Sequence, residues 1–272
     1  QADAKGKFRL NPHPASAFTV SAFAPTGSPH LARQVTLDWP ATATEQDIRI
    51  ELPRGVLIEG RVTEQQSGEP VFGAGVRYTP RSNNAYATDD LIDDWQANVV
   101  TDKDGHYAIA VPAGPGSLRV LCSDDQHVAQ ETTYGFLNDG GSDGRRIYPH
   151  AISPFDLPED ADRGSVDMQV VRGAKLNAKV VGPDGTPAER LVVAYPGAAA
   201  PYHEHYGDQF RHVQGGQLEI GSIPPDGELE VLLLDPIRKQ GRVLKVRGAD
   251  AEKVTRVELQ PCGQASLRAV DG

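Results

Sequence analysis

The chain has 272 residues, 39% of them hydrophobic and 24% charged, with 28 Gly, 21 Pro and a formal net charge of −10 at pH 7. That balance excludes a disordered or collagenous chain, because apolar residues recur in alternating runs and Gly follows no triplet rule. It also excludes a nucleic-acid backbone as partner, which would need a basic face, and no run of 18 apolar residues is present to cross a membrane as a helix.

From its first residues the chain repeats itself. Asp3-Ala4-Lys5-Gly6-Lys7-Phe8-Arg9-Leu10 returns 102 − 3 = 99 residues later as Asp102-Lys103-Asp104-Gly105-His106-Tyr107-Ala108-Ile109. A weaker copy without the acidic turn follows as Gly216-Gln217-Leu218-Glu219-Ile220. A second element, Ile50-Glu51-Leu52-Pro53-Arg54-Gly55, returns as Met168-Gln169-Val170-Val171-Arg172-Gly173 and as Val257-Glu258-Leu259-Gln260-Pro261-Cys262. The spacings, 173 − 55 = 118 and 262 − 173 = 89, are each about one domain long. The predicted organisation is the C-terminal part of a preceding β-sandwich over 1–52, complete sandwiches over 53–171 and 172–260, and the first strand of a following domain over 261–272. Residues 1–24 then supply late strands and Cys262–Gly272 an early one, which leaves strand edges to be paired. The partners expected for them are other domains of a longer parent chain or, by head-to-tail self-association, donation of Ala265–Val270 into the Phe8–Leu10 sheet of the next molecule.

Period-two alternation carries the strands in between: Val56, Ile58 and Val62; Val76 and Tyr78; Tyr107, Ile109 and Val111; Leu118, Val120 and Cys122. The second unit repeats it with Leu176 and Val180, Leu191, Val193 and Tyr195, Leu218 and Ile220, then Leu229, Val231 and Leu233. Gln66-Ser67-Gly68-Glu69-Pro70 and Gly182-Pro183-Asp184-Gly185-Thr186-Pro187 are hairpin turns at the same place in the two units. The expected fold is all-β, a tandem of antiparallel sandwiches joined by short links that limit bending.

Gly60-Arg61-Val62, then Pro70 to Val76, Thr101 to Tyr107 and Val111-Pro112-Ala113-Gly114 together resemble bacterial carboxypeptidase regulatory-like domains, relatives of transthyretin-like and collagen-adhesin B-type modules. The resemblance covers residues 55 to about 122 and 173 to 234. It implies Ig-like or prealbumin-like seven-stranded sandwiches, no catalysis by the units themselves, and an extracellular or cell-envelope setting in a larger bacterial protein.

Candidate sites lie between the strands. Asp102-Lys103-Asp104-Gly105 starts like a calcium loop but lacks its closing Glu, so it reads as a hairpin turn. The insert 81–98 carries Tyr86 and Trp95 beside four Asp residues, and the insert 196–215 carries Tyr202 and Tyr206. Aromatic rings beside acids at loop positions suit a glycan or peptide ligand, or else a local mini-core over the sandwich edge. His203 and His205 would share one strand face, with His212 in reach as a third ligand for zinc or copper, which would make the unit a metal-binding accessory or enzyme domain; a solvated loop is the other reading, and no cofactor is otherwise implied. The stretch 124–154 reads as a polar loop. Cys122 and Cys262 are either separate thiols or a bridge between units. No Gly-x-Ser-x-Gly elbow and no phosphate-cradling Gly-x-Gly-x-x-Gly is present, so a non-catalytic role is expected.

Overall fold

The computed structural model describes residues 2–11, 13, 15–40, 42–91, 99–139, 141, 144–196, 198 and 210–263. An N-terminal hairpin pairs β1 (Ala17–Ala22) with β2 (Arg33–Asp38). Next come β3 (Val56–Glu64), β4 (Gly75–Pro80), β5 (His106–Val111), β6 (Gly114–Leu121), β7 (Thr132–Thr133), the helix α1 (Tyr134–Asp139), β8 (Arg146–Ile147), β9 (Ala151–Leu157), β10 (Arg163–Ser165) and β11 (Met168–Val170). One sheet sets β3 between β5 and the successive pair β10 and β11; the other runs β4-β6-β9.

The chain continues through β12 (Ala174–Val181), β13 (Arg190–Ala194), β14 (Phe210–Gln214), β15 (Gln217–Ile223), β16 (Glu228–Asp235) and β17 (Gln240–Arg247). A 3-10 turn at Gly248–Lys253 leads to β18 (Arg256–Glu258) and β19 (Gln260–Pro261). Again there are two sheets, β15-β12-β18 and β14-β13-β16-β17-β19. The fold is a tandem of Ig-like β-sandwiches.

The alternating residues named above are the ones that turn inward. Ile58, Val62, Val76, Ile109, Leu118, Val120 and Val170 lie in one buried cluster, and Leu176, Val180, Leu191, Val193, Ile220, Val231 and Leu233 in another that shares no residue with the first. Side chains two apart on a strand share a face, so period-two sequence buries one face of each sheet against its partner.

Pairing departs from a purely antiparallel scheme at the first strand of each unit, where β3 takes both β10 and β11 in parallel and β12 takes β18. The outgoing strand lies parallel to the incoming one, with Met168↔Val62 to Val170↔Glu64 in the first unit and Lys179↔Arg256 to Val181↔Glu258 in the second. A chain that enters at one end of a sandwich and leaves at the other must run the same way in both strands.

The acidic turn is the same object in both of its copies. Asp3 accepts the N–H groups of Lys5 and Lys7 at 2.8 and 2.9 Å, and Asp102 accepts those of Asp104 and His106, both at 2.9 Å. Gly6 and Gly105 hold φ of +75° and +78°, where other residues are strained. The Asp102 carboxylate is thus committed to backbone donors, chiefly His106, which keep its pKa below the ordinary value. It shapes a turn and presents no calcium loop. Beyond the turn the copies diverge: β5 is held against β3, whereas residues 7–10 lie in no strand and are exposed, so there is no Phe8–Leu10 sheet to receive a donated strand.

The stretch 124–154 is no plain loop. It supplies β7, α1, β8 and the start of β9, and it lies over the outer face of β6, burying Leu137, Ile147 and Tyr148. Arg119 of β6 stacks beneath it, 5.5 Å from the centre of the Tyr134 ring. Its apolar residues are too few, and too often interrupted by Gly135, Gly140, Gly141 and Gly144, to show a period. In the second unit the 196–215 insert ends in β14, an added edge strand whose register on β13 runs from Phe210↔Ala194 to Gln214↔Arg190.

Candidate functional site

The feature that recurs most faithfully is the joint at the three repeat positions Gly55, Gly173 and Cys262. Gly55 N–H donates to the Pro29 carbonyl at 2.7 Å, Gly173 N–H to Gln126 at 2.8 Å and Cys262 N–H to Lys239 at 2.8 Å. These donors are the three equivalent positions of the 118- and 89-residue repeat. Beside each runs a short antiparallel pairing: His30↔Arg54, His127↔Arg172 and Gln240↔Pro261. Leu31 N–H to Pro53 and Val128 N–H to Val171, both 2.9 Å, complete the first two. At Gly173 a side chain would run into the Gly221 carbonyl and the Ser222 backbone, and at Gly55 into Leu31 and the Val111 carbonyl. Glycine is required there by close approach, since neither residue has a positive φ.

At the middle joint the main-chain contact is backed by a buried polar cluster. The His127 ring spans two carboxylates, Nδ1 to Asp124 at 3.0 Å and Nε2 to Glu64 at 3.3 Å. Glu64, at the end of β3, also accepts from Arg172 at 2.5 Å and from Ser67 at 3.0 Å. Burial works against the Glu64 charge, but these hydrogen bonds and the guanidinium outweigh it and hold the carboxyl below its usual range. The His127 hydrogen bond does the same for Asp124. Arg172 reaches on to Gln126 at 2.5 Å. On the other side Asp125 accepts from Arg211 at 2.9 Å and from the Tyr195 hydroxyl at 3.3 Å, which ties the loop after β6 to the second sandwich. At the N-terminal joint the ion pair of Arg33 with Asp90, 2.5 Å, plays the corresponding role.

Buried beside the cluster, His150 accepts the Cys122 N–H on Nδ1 at 3.1 Å. Burial, with repulsion from His127, pulls its pKa from 6.5 down to about 4 against the pull of Asp124. The unfolded chain therefore takes up this proton first on acidification. The contribution of neutral His150 is complete above about pH 6.5 and is lost as pH falls towards 4, about 3 kcal/mol in all. Thermal melts from pH 7 to 4 should show this loss in the wild type and a flatter profile in His150→Gln; equal slopes would refute the assignment. Burial also raises the Cys122 thiol pKa well above its ordinary value, and both Cys122 and Cys262 are free thiols.

A cavity of about 130 Å³ lies at the N-terminal joint, lined by Phe23, Leu31, Tyr78, Leu91, Val99 and Ile109 among others. Its wall includes both flanks of the 81–98 insert. Tyr86, 41% exposed, turns away to the Glu159 carboxylate, whose hydrogen bond raises the phenol pKa. Trp95, Tyr202, His203, His205 and Tyr206 lie outside the described residues. His212 sits on β14 opposite Val192, in edge contact with the Phe210 ring at 6.3 Å. Among the described residues no three His, Cys, Asp or Glu side chains are grouped to hold a metal. The described parts of the two inserts face the preceding unit, through Asp90 at one joint and Arg211 at the next. Sequence reasoning missed the joint residues Glu64, Asp124, Asp125, His127 and His150. The one available signal was the pair Pro29-His30-Leu31 and Gln126-His127-Val128, 127 − 30 = 97 residues apart.

No protein-family model and no curated protein matches the sequence. Among solved structures the chain has distant likeness to a streptococcal ancillary pilin, at 10% identity and a TM-score of 0.39, covering 93% of this chain and 77% of that one. A minor pilin of Streptococcus agalactiae is similar at 11% identity and a TM-score of 0.38, over 79% of this chain and 100% of that one. A DUF3823 family protein from Parabacteroides merdae follows at 11% identity and a TM-score of 0.25, over 66% and 90%. No helix among the described residues is long and apolar enough to cross a membrane.

Proposed function

We propose that the chain is a non-catalytic structural segment of a larger extracellular or envelope-associated bacterial protein. In this reading sandwich units of the regulatory-like kind, 53–171 and 172–260, follow the end of one unit and lead into another. Each is fixed to its predecessor and presents loops for a protein or glycan ligand. The observation that carries the reading is the joint made three times with the same main-chain bond, at Gly55, Gly173 and Cys262. A freely jointed chain has no use for a glycine such as Gly221, kept bare against the Asp125 carbonyl and Gln126 of the preceding unit, nor for a buried carboxylate–histidine–arginine cluster at the meeting point of the two units. Backbone relaxation measurements test the spacer role: both sandwiches should tumble with one correlation time, and independent tumbling would overturn it. For the ligand role, binding to glycan or peptide arrays should fall on changing Tyr86, Trp95, Tyr202 or Tyr206 to Ala; binding untouched by all four would remove these residues from it.

A further inference from the structure

The strands β6 and β16 hold the same place, each central in the second sheet of its unit, yet they are buried differently. Seven of the eight β6 residues are buried, because the flap at 129–150 covers its outer face. Along β16 buried and open residues alternate. The flap occupies the connection from β6 to β9, and its counterpart from β16 to β17 is only the turn 236–239. No strand or helix among the described residues covers that face of the second unit, and it is apolar. Cross-strand register sets Phe210, Ala194, Leu232 and Val243 in one row and His212, Val192, Leu234 and Gly241 in the next. Leu232 is 49% exposed, Val243 55%, and Ile237 in the adjoining turn 66%. Scattered apolar residues on a surface need no explanation, but contiguous rows on a sheet face whose paralogue is covered do.

We propose that a second copy of the chain closes this face, in a two-fold dimer whose axis runs along the strands between β16 and β17. Charge dictates the choice of occupant and axis. Below the apolar rows β16 presents Glu230 and Glu228 outward, directly across from Lys245 and Arg247 of β17. A two-fold axis between the strands keeps every row at its own height and lays β16 of each copy over β17 of the other. Glu230 then meets Lys245, Glu228 meets Arg247, and Leu232 covers Val243, each contact being made twice, as an isologous interface requires. Sheets packed face to face with near-aligned strands are an ordinary sandwich arrangement, so the dimer extends the packing already used within each unit. Like charges would oppose each other if β16 lay over β16.

Sedimentation equilibrium of the whole chain tests this, with circular dichroism melts to check that each variant folds. The wild type should be a dimer at concentrations on the order of 100 µM, and Leu232→Glu should weaken it by about tenfold or more. The variant Glu228→Lys/Glu230→Lys and the variant Lys245→Glu/Arg247→Glu should each be monomeric alone and form a one-to-one heterodimer when mixed. A monomeric wild type, a dimer indifferent to Leu232→Glu, or charge variants that fail to recover on mixing would each overturn the proposal.

Discussion

Replacing Gly173 by valine is expected to spread β12 from β15 in the second sandwich and to uncouple that sandwich from the first, whose core stays in place. The new side chain has no room beside the Gly221 carbonyl and the Ser222 backbone, and neither is a flexible group that can swing aside. Relief must come from moving β12 away from β15 in its own sheet, which draws the residue 173 N–H off Gln126 and, because Gly221 of β15 lies against the Asp125 and Gln126 backbone, loosens the hold of Arg211 and Tyr195 on Asp125. Overpacking of this kind costs about 1–3 kcal/mol. The sharper readout is local: the Val128 amide, protected by Val171, should exchange with solvent, and the two units should relax with separate correlation times. Unchanged exchange at Val128 would mean that the joint tolerates the side chain.

Removing the carboxylate at the centre of the joint should cost more. Glu64→Ala leaves the buried His127 ring without one of its two partners and the Arg172 guanidinium without its carboxylate. Breaking a buried charged pair is worth about 3–5 kcal/mol, and because Arg172 is half exposed the lower end applies. Denaturant midpoints should show a loss of about 3 kcal/mol for Glu64→Ala. A further His127→Ala change in that background should add little, since the two act as a unit. Full additivity would show that they do not share one network.

The strands and their repeat were legible because they obey rules that need no partner information. Two-residue alternation, Gly and Pro at turns, and the Arg-Gly step into each first strand all persist whatever surrounds them. The acidic turn at Asp3 and Asp102 was legible for the same reason: its carboxylate serves only its own neighbours in sequence. The joint cluster was not, since Glu64, Asp124, His127 and Arg172 come from places up to 108 residues apart and acquire meaning only when the sheets meet. The flap over β6 was hidden by its glycines, and the parallel pairing of first and last strands by the habit of reading hairpins as wholly antiparallel. Of the site residues drawn from sequence, Tyr86 hydrogen-bonds Glu159, His212 lies on the edge strand β14, and the others fall outside the described residues.

The parallel neighbourhood of incoming and outgoing strands has a mechanical meaning. Tension along the chain pulls β3 one way at Val56 and β11 the other at Val170, while the two lie side by side in register from Val62 to Glu64, with β10 continuing the contact from Leu57 to Glu59. The load therefore runs along the strands, across hydrogen bonds that must slide and fail together; in a hairpin pulled at its open end they would unzip in succession. The second unit repeats this geometry in β12 and β18. Each sandwich is thus strung so that a stretching force meets its stiffest direction.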